Sequence, residues 1–222
     1  MLRAAFAILA KDVRIEARTK ESLASALVLG VLLVVVFSIA HDAPPDEAPR
    51  LAPAVLWVTF IFTGLLGVQR SFVIEREHEA LAGVLVAPVD PAALYVGKLL
   101  GNVLLLGVMQ AIIVPLVAVL LHVDLVPVLP ALVLVLLLGN LGFASLATLF
   151  AAVTVRARAR EVMLPVLLLP LLVPVLVGGV KATQAVLAGG LAAAGEPLAV
   201  LAAFDVIFTT AGVLLFEQVV RD

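Results

Sequence analysis

Cysteine is absent from all 222 residues. Disulfides, thiolate metal sites and covalent haem attachment through a C-x-x-C-H motif are thereby excluded. Charge is scarce too: Asp, Glu, Lys and Arg make up 14% of the chain, against about 25% in ordinary soluble domains. A net charge of −2 provides no basic footprint for nucleic acid. No Walker A pattern occurs, because Gly97-Lys98-Leu99 lacks the upstream glycine and the following Ser or Thr and lies in an apolar run. Nucleotide hydrolysis is therefore not expected of this chain. H-E-x-x-H, G-x-S-x-G and any pair of inward carboxylates are also missing, which leaves little basis for a membrane protease or hydrolase.

What the chain does contain is apolar surface: 64% of its residues are hydrophobic and the mean hydropathy is +1.26. A helix needs about 20 apolar residues to cross a bilayer. Six runs qualify, at residues 22–40, 51–68, 94–121, 128–153, 162–179 and 198–216. The chain is thus expected to be one all-helical membrane domain over 1–222. The first run is read as retained, since 21 residues with five Lys or Arg precede it and no clear small-residue cleavage site ends it.

Of the 14 Lys and Arg, only Arg50 and Lys181 fall in the first, third and fifth connections. The other twelve lie on the opposite side, which predicts that both termini are cytoplasmic. Residues 1–21 place Leu2, Phe6, Leu9 and Val13 at helical spacing, with Lys11, Arg14 and Arg18 largely on another face. This fits a helix lying in the membrane interface, though a plain basic flank would give the same topology. Pro53 is expected in the first turn of span two, where its missing N–H costs little.

The connection between spans two and three begins with "VIEREHEALAGVLVAP", Val73 to Pro88. Span two is expected to continue past the membrane into this charged stretch. Asp90, Pro91 and the Val89 and Leu94 pair then read as an N-cap, first helical position and hydrophobic staple of the next helix. The simplest alternative is a solvated connection whose charges only keep it out of lipid.

Inside the spans, Lys98 is placed to snorkel to the inner interface, and Gly97 and Gly101 form one G-x-x-x-G packing signal. Pro165, Pro170 and Pro174 predict a kinked or broken fifth span. "KATQAVLAGGLAAAGEP" is too glycine-interrupted for a seventh span and is expected at the outer face. Asn102, Gln110 and Asn140 suit interhelical hydrogen bonds. Asp205 is the intramembrane acid, read either as lining a path or subunit seam, or as an outer-interface residue bonded to a neighbouring helix. His41 and His122 follow spans one and three, where imidazoles can meet a haem iron or simply face water; His78 reads as a surface residue.

The segments "KDVRIEARTKES", "EREHEALAGVLVAP" and "RAREVMLPVLLLPLLVPVL" together resemble the CcmB family, the membrane permease component of the cytochrome c maturation haem exporter. The resemblance covers nearly the whole chain. It implies an ABC-2-like, type V exporter-like permease of six spans that lacks its own ATPase. Implied partners are a separate ATPase (CcmA-like) that binds ATP, a haem-handling membrane subunit (CcmC-like), a haem chaperone (CcmE-like), a second copy of the chain, and membrane lipid. Haem enters as possible substrate, with no covalently bound cofactor and no metal site. The resemblance further implies that Glu75, Arg76, Glu77 and Glu79, with Leu81 and Leu85 in the docking stretch Ala80 to Leu85, engage the ATPase. Arg156, Arg158, Arg160 and Glu161 would form a second cytoplasmic contact. Two other classes stay open: a proton-coupled secondary transporter, which would use Asp205 and the broken fifth span, and a non-transporting membrane scaffold.

Overall fold

The structure is a computed structural model that describes residues 2–40, 47–77, 91–154 and 160–221. Every regular element among these residues is helical: α1 (Leu2–Thr19), α2 (Glu21–Ala40), α3 (Ala48–Glu77), α4 (Pro91–Leu120), α5 (Leu129–Thr154), α6 (Arg160–Gly189), a 3-10 turn (Leu191–Ala194) and α7 (Gly195–Arg221). Six segments are long and apolar enough to cross a membrane: Glu21–Ala40, Ala48–Gln69, Pro91–Leu120, Leu129–Ala151, Met163–Gly189 and Leu191–Phe216. The first four match the runs read from hydropathy to within a few residues.

The fifth and sixth depart from expectation. Residues 160–189 form one uninterrupted helix with Pro165, Pro170 and Pro174 inside it, so of the expected kink or break, the break does not occur. Each proline removes one backbone hydrogen bond, but breaking the helix in hydrocarbon would free more polar groups than the prolines do. Pro170 and Pro174 are exposed, while Leu164, Leu168, Leu172 and Val175 are buried on the packed face. Lys181 to Gly189 extend α6, and no seventh span arises among the described residues, as expected. Gly190, at φ 72, then turns the chain into the 3-10 turn, a left-handed conformation that a side chain would disfavour. Pro53 is not in the first turn either: α3 begins at Ala48, which leaves Pro53 in the second turn.

α3 and α5 form the centre of the bundle, with 72% of each span window buried, whereas α2 at 17% and α7 at 22% are peripheral. α2 packs through the stripe Ser22, Ala26, Gly30 and Val34, one residue per turn. Trp57 of α3 is fully buried between Gly139 of α5 and Gly179 of α6. Its indole N–H donates to Thr183 Oγ1 at 2.9 Å, and its ring meets Phe60 edge-on at 5.3 Å. One side chain thus joins three helices.

Candidate functional site

The expected coupling residues begin on a helix that outruns the membrane. At 1.5 Å per residue, a 30-residue helix is about 45 Å long, against about 30 Å of hydrocarbon. α3 has 30 residues, Ala48–Glu77, so its last turns exceed the hydrocarbon thickness, and Glu75, Arg76 and Glu77 fall on its last two turns. Pro91 is the first residue of α4, the helical start position for which its fixed φ and missing N–H suit it. Glu79, Leu81 and Leu85 lie outside the described residues, as do His41 and His78. Arg156 and Arg158 do too, while Arg160 and Glu161 open α6.

At the same end of the bundle α1 is docked against α4. A Cβ on Gly97 would lie 2.9 Å from the Ala5 carbonyl oxygen and from Ile8 Cβ, so glycine is what admits α1 this closely. Gly101 faces Asp12 and Leu9 one turn on. The G-x-x-x-G signal therefore receives the amphipathic helix rather than another span. Lys98, between the two glycines, is buried and places Nζ 3.0 Å from Asp12 Oδ2. α1 covers it and supplies that carboxylate. Asp12 also lies 3.1 Å from Lys11.

Deeper in, polar groups pair across α4 and α5. Asn102 Nδ2 donates to Thr148 Oγ1 at 2.9 Å, and Asn140 Nδ2 donates to Gln110 Oε1 at 2.8 Å. These are the interhelical bonds expected of them. Tyr95, fully buried, donates its hydroxyl proton to the Ser145 carbonyl at 3.3 Å. Gly212 of α7 leaves space for that hydroxyl. Tyr95 and Trp57 are the only Tyr and Trp in the chain, and neither stands out as a site residue in the sequence. For Trp57, a place well inside its span rather than at the interfacial belts where Trp concentrates is the signal that could have found it; Tyr95, at the edge of its span, carries none.

Asp205 lies ten residues into α7, buried against Gly142 of α5, which approaches Oδ1 so closely that a Cβ would sit 2.7 Å away. Neither carboxylate oxygen has a hydrogen-bond partner among the described residues. The expected bond to a neighbouring helix is not formed. Because no partner is lost, Asp205→Asn is expected to melt no lower than the parent chain in detergent. A fall of many degrees by scanning fluorimetry would show that the carboxylate is held by a contact of its own. His122 is exposed beyond α4 at φ 54, and no group of three or more His, Cys, Asp or Glu able to hold a metal ion occurs among the described residues.

Comparison with known proteins bears on the whole of this arrangement. Residues 3–221 match the family described as CcmB protein. The chain belongs to the CcmB family. Relatives in it include Heme exporter protein B of Bradyrhizobium diazoefficiens, 30% identical over 210 residues, which are 93% of this chain and 92% of that protein. Heme exporter protein B of Paracoccus denitrificans is 34% identical over 185 residues, covering 82% of this chain and 84% of the relative. That of Pseudomonas aeruginosa is 30% identical over 182 residues, covering 82% and 81%. The family match runs through both connections that carry the expected coupling residues.

Proposed function

We propose that this chain is the permease subunit of an ABC transporter complex that exports or delivers haem in cytochrome c maturation. The observation that carries this reading is end-to-end similarity to proteins named Heme exporter protein B, in a chain without a nucleotide-binding motif. The work must then come from a separate CcmA-like ATPase, with CcmC-like and CcmE-like subunits handling haem. The chain lies in the bacterial cytoplasmic membrane with both termini inside, as the Lys and Arg distribution favours. It forms a single permease domain that pairs with a second copy, and haem is substrate rather than resident cofactor.

In this reading the ATPase grips the segment from Glu75 to Leu85. Closure of the ATPase pushes on the protruding end of α3 and on the N-terminus of α4, and each helix transmits the push as a rigid lever. Arg156, Arg158, Arg160 and Glu161 offer a second contact on the same side. Support comes from the helical extension of α3 to Glu77 and the restart at Pro91, which bracket the charged connection with rigid elements. A proton-coupled transporter has less to draw on. The charged side chains buried in the described spans are Lys98 and Asp205, and Lys98 faces Asp12.

Reversing Glu75, Glu77 and Glu79 to Lys tests the coupling. The variant is expected to insert at parent levels while ATPase copurification and ATP-dependent cytochrome c maturation fall at least about tenfold, a loss worth roughly 1.4 kcal/mol. Normal copurification together with normal maturation would refute the assignment.

A further inference from the structure

α1 and α4 touch closely at one end and part at the other. At Gly97 the contact reaches the α1 backbone at Ala5, whereas at Gly101 only the Asp12 and Leu9 side chains are near, at 3.5 Å and beyond. There the helices, with the start of α2, flank an open cleft of about 410 Å³, within the roughly 300–1,000 Å³ range of small-molecule sites. Its lining spans Lys98 to Val108 along α4, about 15 Å of helix.

The lining is mixed: Asp12, Glu16, Lys20, Lys98 and Asn102 supply polar groups, with the apolar Val13, Ala17 and Leu23 among them, while on α4 the residues after Asn102 (Leu104, Leu105 and Val108) are all apolar. Leu104 and Val108 are also exposed on the surface of a membrane-spanning helix, so this apolar stretch opens to lipid. Glu16 and Lys20 are at the corner where α1 turns into α2, with Lys20 at φ 55 and Glu16 Oε1 accepting the Leu23 N–H at 2.8 Å. An occupant must carry a charged head at one end and hydrocarbon at the other. It must also enter sideways from the bilayer.

We propose that this cleft binds one phospholipid with a primary-amine zwitterionic headgroup, of the phosphatidylethanolamine type, in the leaflet that carries α1. Charge complementarity selects the head. Asp12 and Lys98 pair with each other at 3.0 Å, which leaves Glu16 and Lys20 of the lining as one carboxylate and one ammonium to face an ammonium and a phosphate side by side. Lys20 donates to the phosphate, and Glu16, with one oxygen still available after capping α2, accepts from the ammonium. A trimethylated amine has no N–H to offer Glu16, and a purely anionic head brings no cation to Glu16. The acyl chain lies along Leu105 and Val108. This site stands apart from the ATPase-coupling reading and does not depend on it.

Native mass spectrometry of the full chain in detergent, with equal amounts of phosphatidylethanolamine, phosphatidylglycerol and phosphatidylcholine of identical acyl chains, tests the proposal. The parent is expected to retain the ethanolamine lipid at least about tenfold over the other two, equivalent to roughly 1.4 kcal/mol. Gly101→Phe fills the cavity from its floor, and Val108→Trp fills it from the lipid side without touching the α1 contact. Both are expected to abolish that preference, and Glu16→Gln to reduce it. Preferential retention of phosphatidylglycerol would overturn the headgroup assignment. Equal retention of all three, or a preference unchanged by Val108→Trp, would show ordinary annular lipid and overturn the site.

Discussion

Gly179→Val is expected to remove nearly all folded protein, because the new side chain must occupy space filled by the Trp57 indole. The ring has nowhere to go: it is fully buried, Gly139 closes its other side, and Phe60 meets its edge. The indole N–H is tied to Thr183, whose own hydroxyl donates to the Gly179 carbonyl at 2.8 Å, so moving the ring also leaves a buried donor unpaired. Overpacking commonly costs about 1–3 kcal/mol, and a rigid ring without an exit puts this case at the upper end or beyond. Trp57→Leu alone should also destabilise, by a large part of the roughly 3–5 kcal/mol typical of Trp truncation. Combined with Gly179→Val it should recover part of the loss, since the valine then fills the vacated space. Fluorescence-detected size exclusion and melting of the two single variants and the double variant give the coupling. Additive losses, or a Gly179→Val variant that melts like the parent, would contradict this packing.

The second large effect is asymmetric. Asp12→Leu is expected to cost more than Lys98→Met, although both delete the same ion pair. The Lys98 side chain is 10% exposed and that of Asp12 is 20% exposed, and Asp12 also has Lys11 at 3.1 Å. Removing Asp12 takes from Lys98 a carboxylate it meets in a nearly closed site, a change worth up to about 3–5 kcal/mol for a fully buried pair. Removing Lys98 leaves Asp12 with another cation and more water. The double variant should regain much of the loss, because the charges then leave together. Hydrogen exchange over Leu2–Thr19 reports the result directly: fast exchange in Asp12→Leu, intermediate in Lys98→Met, near parent in the double variant. Equal exchange in both single variants would show that α1 is held by its apolar contacts alone.

Much of the candidate coupling region is legible in the amino-acid sequence. The helix start at Pro91 follows from proline's fixed φ, and the continuation of α3 past Gln69 follows from a run of helix-compatible residues ahead of the charged stretch. The helix that Gly97 and Gly101 receive is not legible. The same spacing serves contact with any helix, and only the position of Ala5 and Ile8 shows that the partner is α1. Asp205 can be recognised as an intramembrane acid, but its contact with Gly142 cannot. The three prolines of α6 do not break it for a physical reason: their cost is familiar from water-exposed helices, whereas in hydrocarbon the broken alternative is costlier still.

By itself the sequence determined the number of crossings and the amphipathic character of α1. Both depend on quantities a linear chain displays: the length of apolar runs set against bilayer thickness, and the spacing of charge around a helix. Only the tertiary structure decided which face of each span turns inward, and with it the Trp57 niche, the Lys98 and Asp12 pair and the cleft between α1 and α4. In lipid the outside of a bundle is as apolar as the inside, so hydrophobic periodicity no longer marks the buried face. Shape decides instead, through glycines that admit a neighbour and polar groups that find one another across the gap.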